Sequence, residues 1–206
     1  MVVIVGVRQI RTVLDDGEFF CPECGGDRRY QYGVGRRWFM LAGLPMFPVS
    51  KALGSVKCAV CRIDFARAVL VVPTARRLTG LLREATRSLA AAALVAGGES
   101  SPAARAAAVA AVRDTGLGAY TDTVLDADLR AYDPDDDPDD SLDALADHLA
   151  PEGCARLVAV AARIAVADGP YRTLELDMLL TAGNRLGLTR PEIDRVLDEA
   201  AGHMPL

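Results

Sequence analysis

Cys21-Pro22-Glu23-Cys24-Gly25 and Cys58-Ala59-Val60-Cys61 are two CxxC pairs separated by thirty-three residues, and their chemistry decides how the first third of the chain folds. Zinc takes four thiolates at the corners of a tetrahedron. Two residues between paired cysteines let one tight turn present both sulfurs to one ion while backbone N–H groups point at them. Gly25 supplies the positive φ that such a knuckle takes just after its second ligand. The expectation is a structural Zn²⁺ held by Cys21, Cys24, Cys58 and Cys61. Iron is the second chemistry open to the same ligand set, since the CPxCG knuckle holds it too. Disulfides would need an oxidising compartment, and a redox pair would need a single CxxC in a βαβ setting.

Around these knuckles the sequence predicts short strands over Val2–Val7, Arg28–Tyr32, Arg37–Leu41 and Phe65–Val72, each rich in β-branched or aromatic residues and bounded by Gly or Pro. Gly33-Val34-Gly35 reads as a hairpin turn, because a phosphate loop would need a helix immediately after it. The group Arg28, Arg29, Tyr30, Tyr32, Arg36, Arg37, Trp38 and Phe39 has two readings. Arg36 and Arg37 are candidate nucleic-acid contacts beside aromatics that stack on bases. Alternatively, Trp38 and Phe39 cover the metal and fill the core while the arginines are solvated.

The order of an apolar N-terminal strand, FFCPECGGDRRY, RRWFMLAGLPMFPVSK and then CAVC resembles a bacterial zinc-ribbon family over about residues 1–72. In that family the same aromatic, proline-bearing segment links the knuckles. Arg62 departs from the pattern, standing where the second knuckle usually has glycine.

After Pro73 the periodicity changes. Leu78, Leu81, Leu82, Ala85, Leu89 and Ala93 fall at helical spacing. Ser101-Pro102 starts a second helix, Gly116 and Gly118 precede a third, and Ser141 caps a short fourth. Pro151 opens a fifth with Cys154, Leu157, Val158, Ala161, Ile164 and Ala165 on one face. Burial as a small hydrophobe is the ordinary use of Cys154. A sixth runs over Arg172–Leu186, and Thr189-Arg190-Pro191-Glu192 is a capping box opening a seventh. Residues 133–140, DPDDDPDD, form an acidic linker that neither helix nor strand tolerates. The fold class is therefore α+β in two units, a ribbon over 1–73 and an all-α bundle of seven helices over 74–206.

The helical part repeats itself. Gly116-Leu117 falls eighteen residues after Gly98, just as Gly187-Leu188 falls eighteen after Gly169. An apolar helix ending in Ala167-Asp168-Gly169, with Glu175 seven residues after the Asp, is similar to the TerB-like family of tellurite-resistance and related helical domains, over about residues 75–203. The first half departs, with Gly97 at the Asp position and Ala104 at the Glu position. The resemblance implies that Asp168 and Glu175 lie on a surface for a second cation or a partner protein. Read for themselves, Asp168 accepts N–H groups at the start of the next helix and Glu175 meets the same loop.

Charge and composition bound the function. Hydrophobic residues make up 51% of the 206 and charged residues 25%, enough for a real core. Residues 1–73 hold ten Lys or Arg against six Asp or Glu, whereas the remainder holds thirteen against twenty-two. Four thiolates with one Zn²⁺ add −2 to the first part, so no basic stripe declares a nucleic-acid partner. No apolar stretch reaches the ~20 residues of a membrane span, and Met1–Val7 lacks a signal peptide's basic start and cleavage site. A cytoplasmic, reducing setting is expected. Two histidines, His148 and His203, and no HExxH, GxSxG or Walker lysine argue against catalysis. The expected function is a non-enzymatic zinc protein acting as an interaction module, in metal or envelope stress as the resemblance implies. A nucleic-acid-binding ribbon with a helical partner-binding domain is the alternative.

Overall fold

The computed structural model describes residues 5–51, 53–132 and 140–202. The chain divides into two compact units, residues 1–77 and 78–206.

In the first unit five antiparallel strands make one sheet: β1 (Val5–Cys21), β2 (Gly26–Leu41), β3 (Leu44–Pro48), β4 (Leu53–Cys58) and β5 (Asp64–Phe65). β2 lies between β1 on one side and β4 on the other, with β5 beyond β4, and β3 continues along the outer part of β2. The sheet's small core sits at the knuckle end. Phe19, Tyr30 and Val56 are buried there with Cys21 and Cys58, and Tyr32, Phe65, Val69 and Leu70 pack against them. Phe19 meets Tyr30 edge-on, ring centroids 5.7 Å apart.

The strands run longer than their composition predicts. Arg28–Tyr32 and Arg37–Leu41 belong to one strand, and Gly33-Val34-Gly35 is its middle rather than a turn. The reason is steric. A Cβ on Gly33 would lie 2.6 Å from Arg11 Nε, and one on Gly35 equally close to Gln9 Nε2. The glycines let these long side chains cross the sheet. Arg11 uses that passage to reach Asp64 at 2.6 Å and to donate to the carbonyls of Gln31 and Ser55, tying four strands together. Its guanidinium, with the Ser55 hydroxyl, holds the Asp64 carboxyl below its ordinary range against the opposing effect of burial.

Phe65–Val72 is not a strand beyond its first residue. Asp64 and Phe65 pair with Lys57 and Val56, then Arg67–Val71 forms a 3₁₀ turn that lays Val69 and Leu70 on the core. β3 tolerates Pro45 and Pro48 because it is an edge strand. Of the expected strand Val2–Val7, residues 1–4 lie outside the described residues.

Seven α-helices are found among the described residues: α1 (Ala75–Gly97), α2 (Pro102–Asp114), α3 (Asp122–Ala131), α4 (Asp140–Ala146), α5 (Pro151–Ala165), α6 (Thr173–Arg185) and α7 (Arg190–Ala201). The first turn of α1 belongs to the first unit, where Asp27 accepts the N–H groups of Ala75 and Arg76 at 2.7 and 3.1 Å. Ser101 caps α2 through Ala104 N–H, and Glu192 returns to Thr189 N–H at 2.7 Å as the capping box requires. Ser141 lies inside α4, which starts at Asp140, and residues 133–139 of the acidic stretch lie outside the described residues.

Two apolar cores fill the second unit. One joins Ala85 and Leu89 of α1 to α4, α5, α6 and α7, and includes Cys154. The other joins Leu94 and its neighbours to α2, α3 and Ile164. α2 and α6 are both thirteen residues long, and each is preceded and followed by a glycine at positive φ: Gly98 and Gly116 for the first, Gly169 and Gly187 for the second. The second core is edged by a polar group in which Asp128 accepts from Arg87 and, at 2.5 Å, from the buried Tyr120 hydroxyl.

Candidate metal centre

The first knuckle is the turn between β1 and β2, and the second follows β4. At each, the carbonyl of the leading cysteine accepts an N–H four residues on: Gly25 to Cys21 at 2.9 Å, Arg62 to Cys58 at 3.1 Å. Both closing residues take the left-handed conformation, φ 64° at Gly25 and 62° at Arg62. Arg62 thus does with strain what glycine does freely. Val60 N–H points at Cys58 Sγ, 3.4 Å away.

β2 brings the knuckles together by pairing with β1 through Cys21–Gly26 and with β4 through Tyr30–Cys58. The ligand atoms of Cys21, Cys24, Cys58 and Cys61 all lie within 4.8 Å of one another. Cys21 and Cys61 Sγ are 3.8 Å apart, Cys24 and Cys58 Sγ 4.0 Å. Four sulfurs each about 2.3 Å from one zinc would stand about 3.8 Å apart. The cluster therefore has the size of a tetrahedral thiolate cage, and its sulfurs are too far apart for disulfides. Burial pushes the Cys58 thiol up, but the N–H groups of Val60 and Cys61 together with the Cys61 and Cys21 thiols bring it down to about 7, whereas burial and the neighbouring sulfurs push Cys24 up and, against an N–H from Ile63, Cys61 to about 12, so that without a metal the cluster favours one thiolate sharing its neighbours' protons.

Trp38 and Phe39 do not cover this centre. They sit in the outer part of β2, where Phe39 stacks on Phe47 with centroids 5.1 Å apart. Phe19, Tyr30 and Phe65 take the covering role. The alternation of Phe19 with Cys21 along β1 was the available signal for this. Arg36 and Arg37 are exposed on the outer part of the sheet, away from the sulfurs.

Asp168 and Glu175 both engage Arg172, by different atoms. Glu175, 1% exposed, accepts the Arg172 backbone N–H at 2.6 Å as the third residue of α6. Asp168 pairs with the Arg172 guanidinium at 3.3 Å instead of capping the backbone as expected. Among the described residues the four cysteines are the only group of three or more His, Cys, Asp or Glu side chains that converge on a common point. Burial pushes the Cys154 thiol up, which suits its place in the core. No described helix is long and apolar enough to cross a membrane. Comparison of the chain with protein-family models, with characterised proteins and with solved structures gives no match.

Proposed function

We propose that this chain is a non-enzymatic, zinc-bearing interaction protein, with a metal-stabilised ribbon ahead of a helical module of the TerB-like kind. The convergence of four sulfurs from two knuckles at tetrahedral spacing carries the reading. Zinc rather than iron is favoured by the closed, redox-silent role that a ribbon core of this size asks of its metal. A filled four-thiolate shell leaves no coordination position for substrate or activated water.

The helical unit supports the interaction reading with an open groove of about 360 Å³ between α1, α2 and α5. Leu82, Ala111, Leu149, Leu157 and Val160 line it, with Arg156 among them. The Ala167-Asp168-Gly169 and Glu175 motif is the residue-level support for a TerB-like module, and cytoplasmic metal or envelope stress is the setting that resemblance suggests.

Metal analysis of protein purified under reducing conditions should find one zinc per chain, and cobalt substitution should give the intense thiolate charge-transfer bands of a four-sulfur site. One iron per chain would overturn the metal assignment. Affinity capture with mass spectrometry should return a protein partner that is lost on Arg156→Glu, at an exposed position of the groove. Turnover of a substrate by the zinc-loaded protein would overturn the non-enzymatic reading.

A further inference from the structure

Among the described residues, the outer end of the sheet has no core of its own. Pairing places Val5, Leu41 and Leu44 in one row across the sheet, Gly6, Met40 and Pro45 in the next, and Val7, Phe39 and Phe47 in a third. These rows hold no polar side chain. Val5 is 56% exposed, Val7 59%, Leu44 65% and Phe47 54%. Ala42 and Gly43, both at positive φ, make the tight turn at the tip. Successive rows lie about 3.4 Å apart, so the apolar tip is about 10 Å deep.

The character changes at the fourth row. Arg8 pairs with Trp38, Gln9 with Arg37 and Ile10 with Arg36, and Lys51 follows just after β3. These four cations are exposed. The sequence contains no Asp or Glu over residues 1–14 or 28–63, so no acid from either stretch neutralises the belt.

We propose that this end of the sheet docks on an anionic phospholipid surface. The three apolar rows enter the boundary between headgroups and acyl chains, Trp38 lies at headgroup level, and Arg8, Arg36, Arg37 and Lys51 meet lipid phosphates. Interfacial elements bury their apolar faces about 5–10 Å deep, which matches the tip. Tryptophan favours that boundary, and cations near an anionic leaflet contribute about 1 kcal/mol each. A second copy is disfavoured as occupant, because stacking two such faces sets cation against cation with no acid between them. Nucleic acid is disfavoured because, although Phe47 and Trp38 offer rings for stacking, the exposed Val5, Val7 and Leu44 would gain nothing against bases and phosphates and would stay in water.

Trp38 is the only tryptophan, so its fluorescence reports on the belt. The zinc-loaded full chain is titrated with phosphatidylcholine vesicles, with vesicles about one-third phosphatidylglycerol, and with single-stranded and duplex DNA. Emission should shift to the blue with the anionic vesicles alone, and the protein should sediment with them. Arg36→Gln with Arg37→Gln should weaken partitioning about ten- to thirtyfold. Leu44→Ser with Phe47→Ser, also at exposed positions, should abolish the blue shift while zinc content stays at that of the native chain. The proposal fails if the zinc-loaded protein ignores anionic vesicles, or if both variants bind them as the native chain does. It fails equally if DNA alone shifts Trp38, or if the tip variant's only effect is loss of a protein dimer.

Discussion

Gly97, the last residue of α1, lies against Glu175 of α6, so that a Cβ at Gly97 would overlap Glu175 Oε1 and come within 3.0 Å of its Cδ. A long side chain usually moves aside for a methyl group. This one is buried and committed through its other oxygen to Arg172 N–H. Moving it forfeits a charge-assisted cap in a dry place.

Gly97→Ala should therefore destabilise the helical unit by about 1–3 kcal/mol, although alanine ordinarily gains about 0.5–1 kcal/mol over glycine in a helix. With Glu175→Ala in place the same substitution should become neutral or stabilising. Urea unfolding of the four proteins of that cycle gives the coupling. A Gly97→Ala effect of the same sign and size in both backgrounds would show that the contact is inconsequential.

The two knuckles offer a matched pair of substitutions. Gly25 and Arg62 occupy equivalent left-handed positions, one free of a Cβ and one not. Gly25→Ala should lower the stability of the metal-loaded first unit by about 1 kcal/mol, and Arg62→Gly should raise it by a similar or smaller amount. Competition for zinc against a chromophoric chelator, measured on all three proteins, checks the order. Arg62→Gly as the weaker zinc binder would mean that its side chain, not its backbone, matters.

Much of the molecule is legible in its residues because its signals are local. Cysteine spacing marks the ligands, Ser101 and Thr189 mark helix starts, and apolar residues at helical spacing mark the stripes that face the two cores. The sheet is less legible because its determinants are not local. Gly33 and Gly35 resemble a turn until Arg11 and Gln9, some twenty-five residues away, are known to pass over them. Trp38 and Phe39 have the composition of a core, yet the register carries them beyond the reach of the sulfurs. Glu175 meeting Gly97, one repeat away, follows from how the helices pack and from nothing in either motif alone.

Asp128 supplies a pH dependence. Burial raises its carboxyl, but hydrogen bonds from Arg87 and Tyr120 more than offset that and hold it below the usual carboxylate range. Burial of Tyr120, with the Asp128 carboxylate beside it, pushes the phenol above its usual range, so it stays a donor throughout. A carboxyl depressed in the folded state contributes stability that is present above its unfolded value, near pH ~4, and is lost as pH falls through the folded value. Asp128→Asn should cost about 1–3 kcal/mol at neutral pH and flatten the acid limb of the stability profile. Urea midpoints of both proteins across the acid range test it. Parallel profiles would remove Asp128 from the account.

Zinc loss tests the first unit most directly. Among the described residues the first unit buries only Phe19, Tyr30, Val56 and the two cysteines Cys21 and Cys58 as apolar groups, and so small a core cannot offset the entropy of ordering the chain. Structural zinc contributes an apparent ~10–16 kcal/mol that exists only in the folded state. Cys24→Ser removes one ligand and should abolish tight zinc binding, collapse the amide dispersion of the first unit, and leave most of the helical far-UV signal in place. Cys154→Ser, in the helical core, should retain the zinc. Strong chelators should reproduce the Cys24→Ser spectrum in the native chain, and mild acid should do so as the thiolates protonate. An ordered first unit in the metal-free protein would mean that the sheet stands on packing alone.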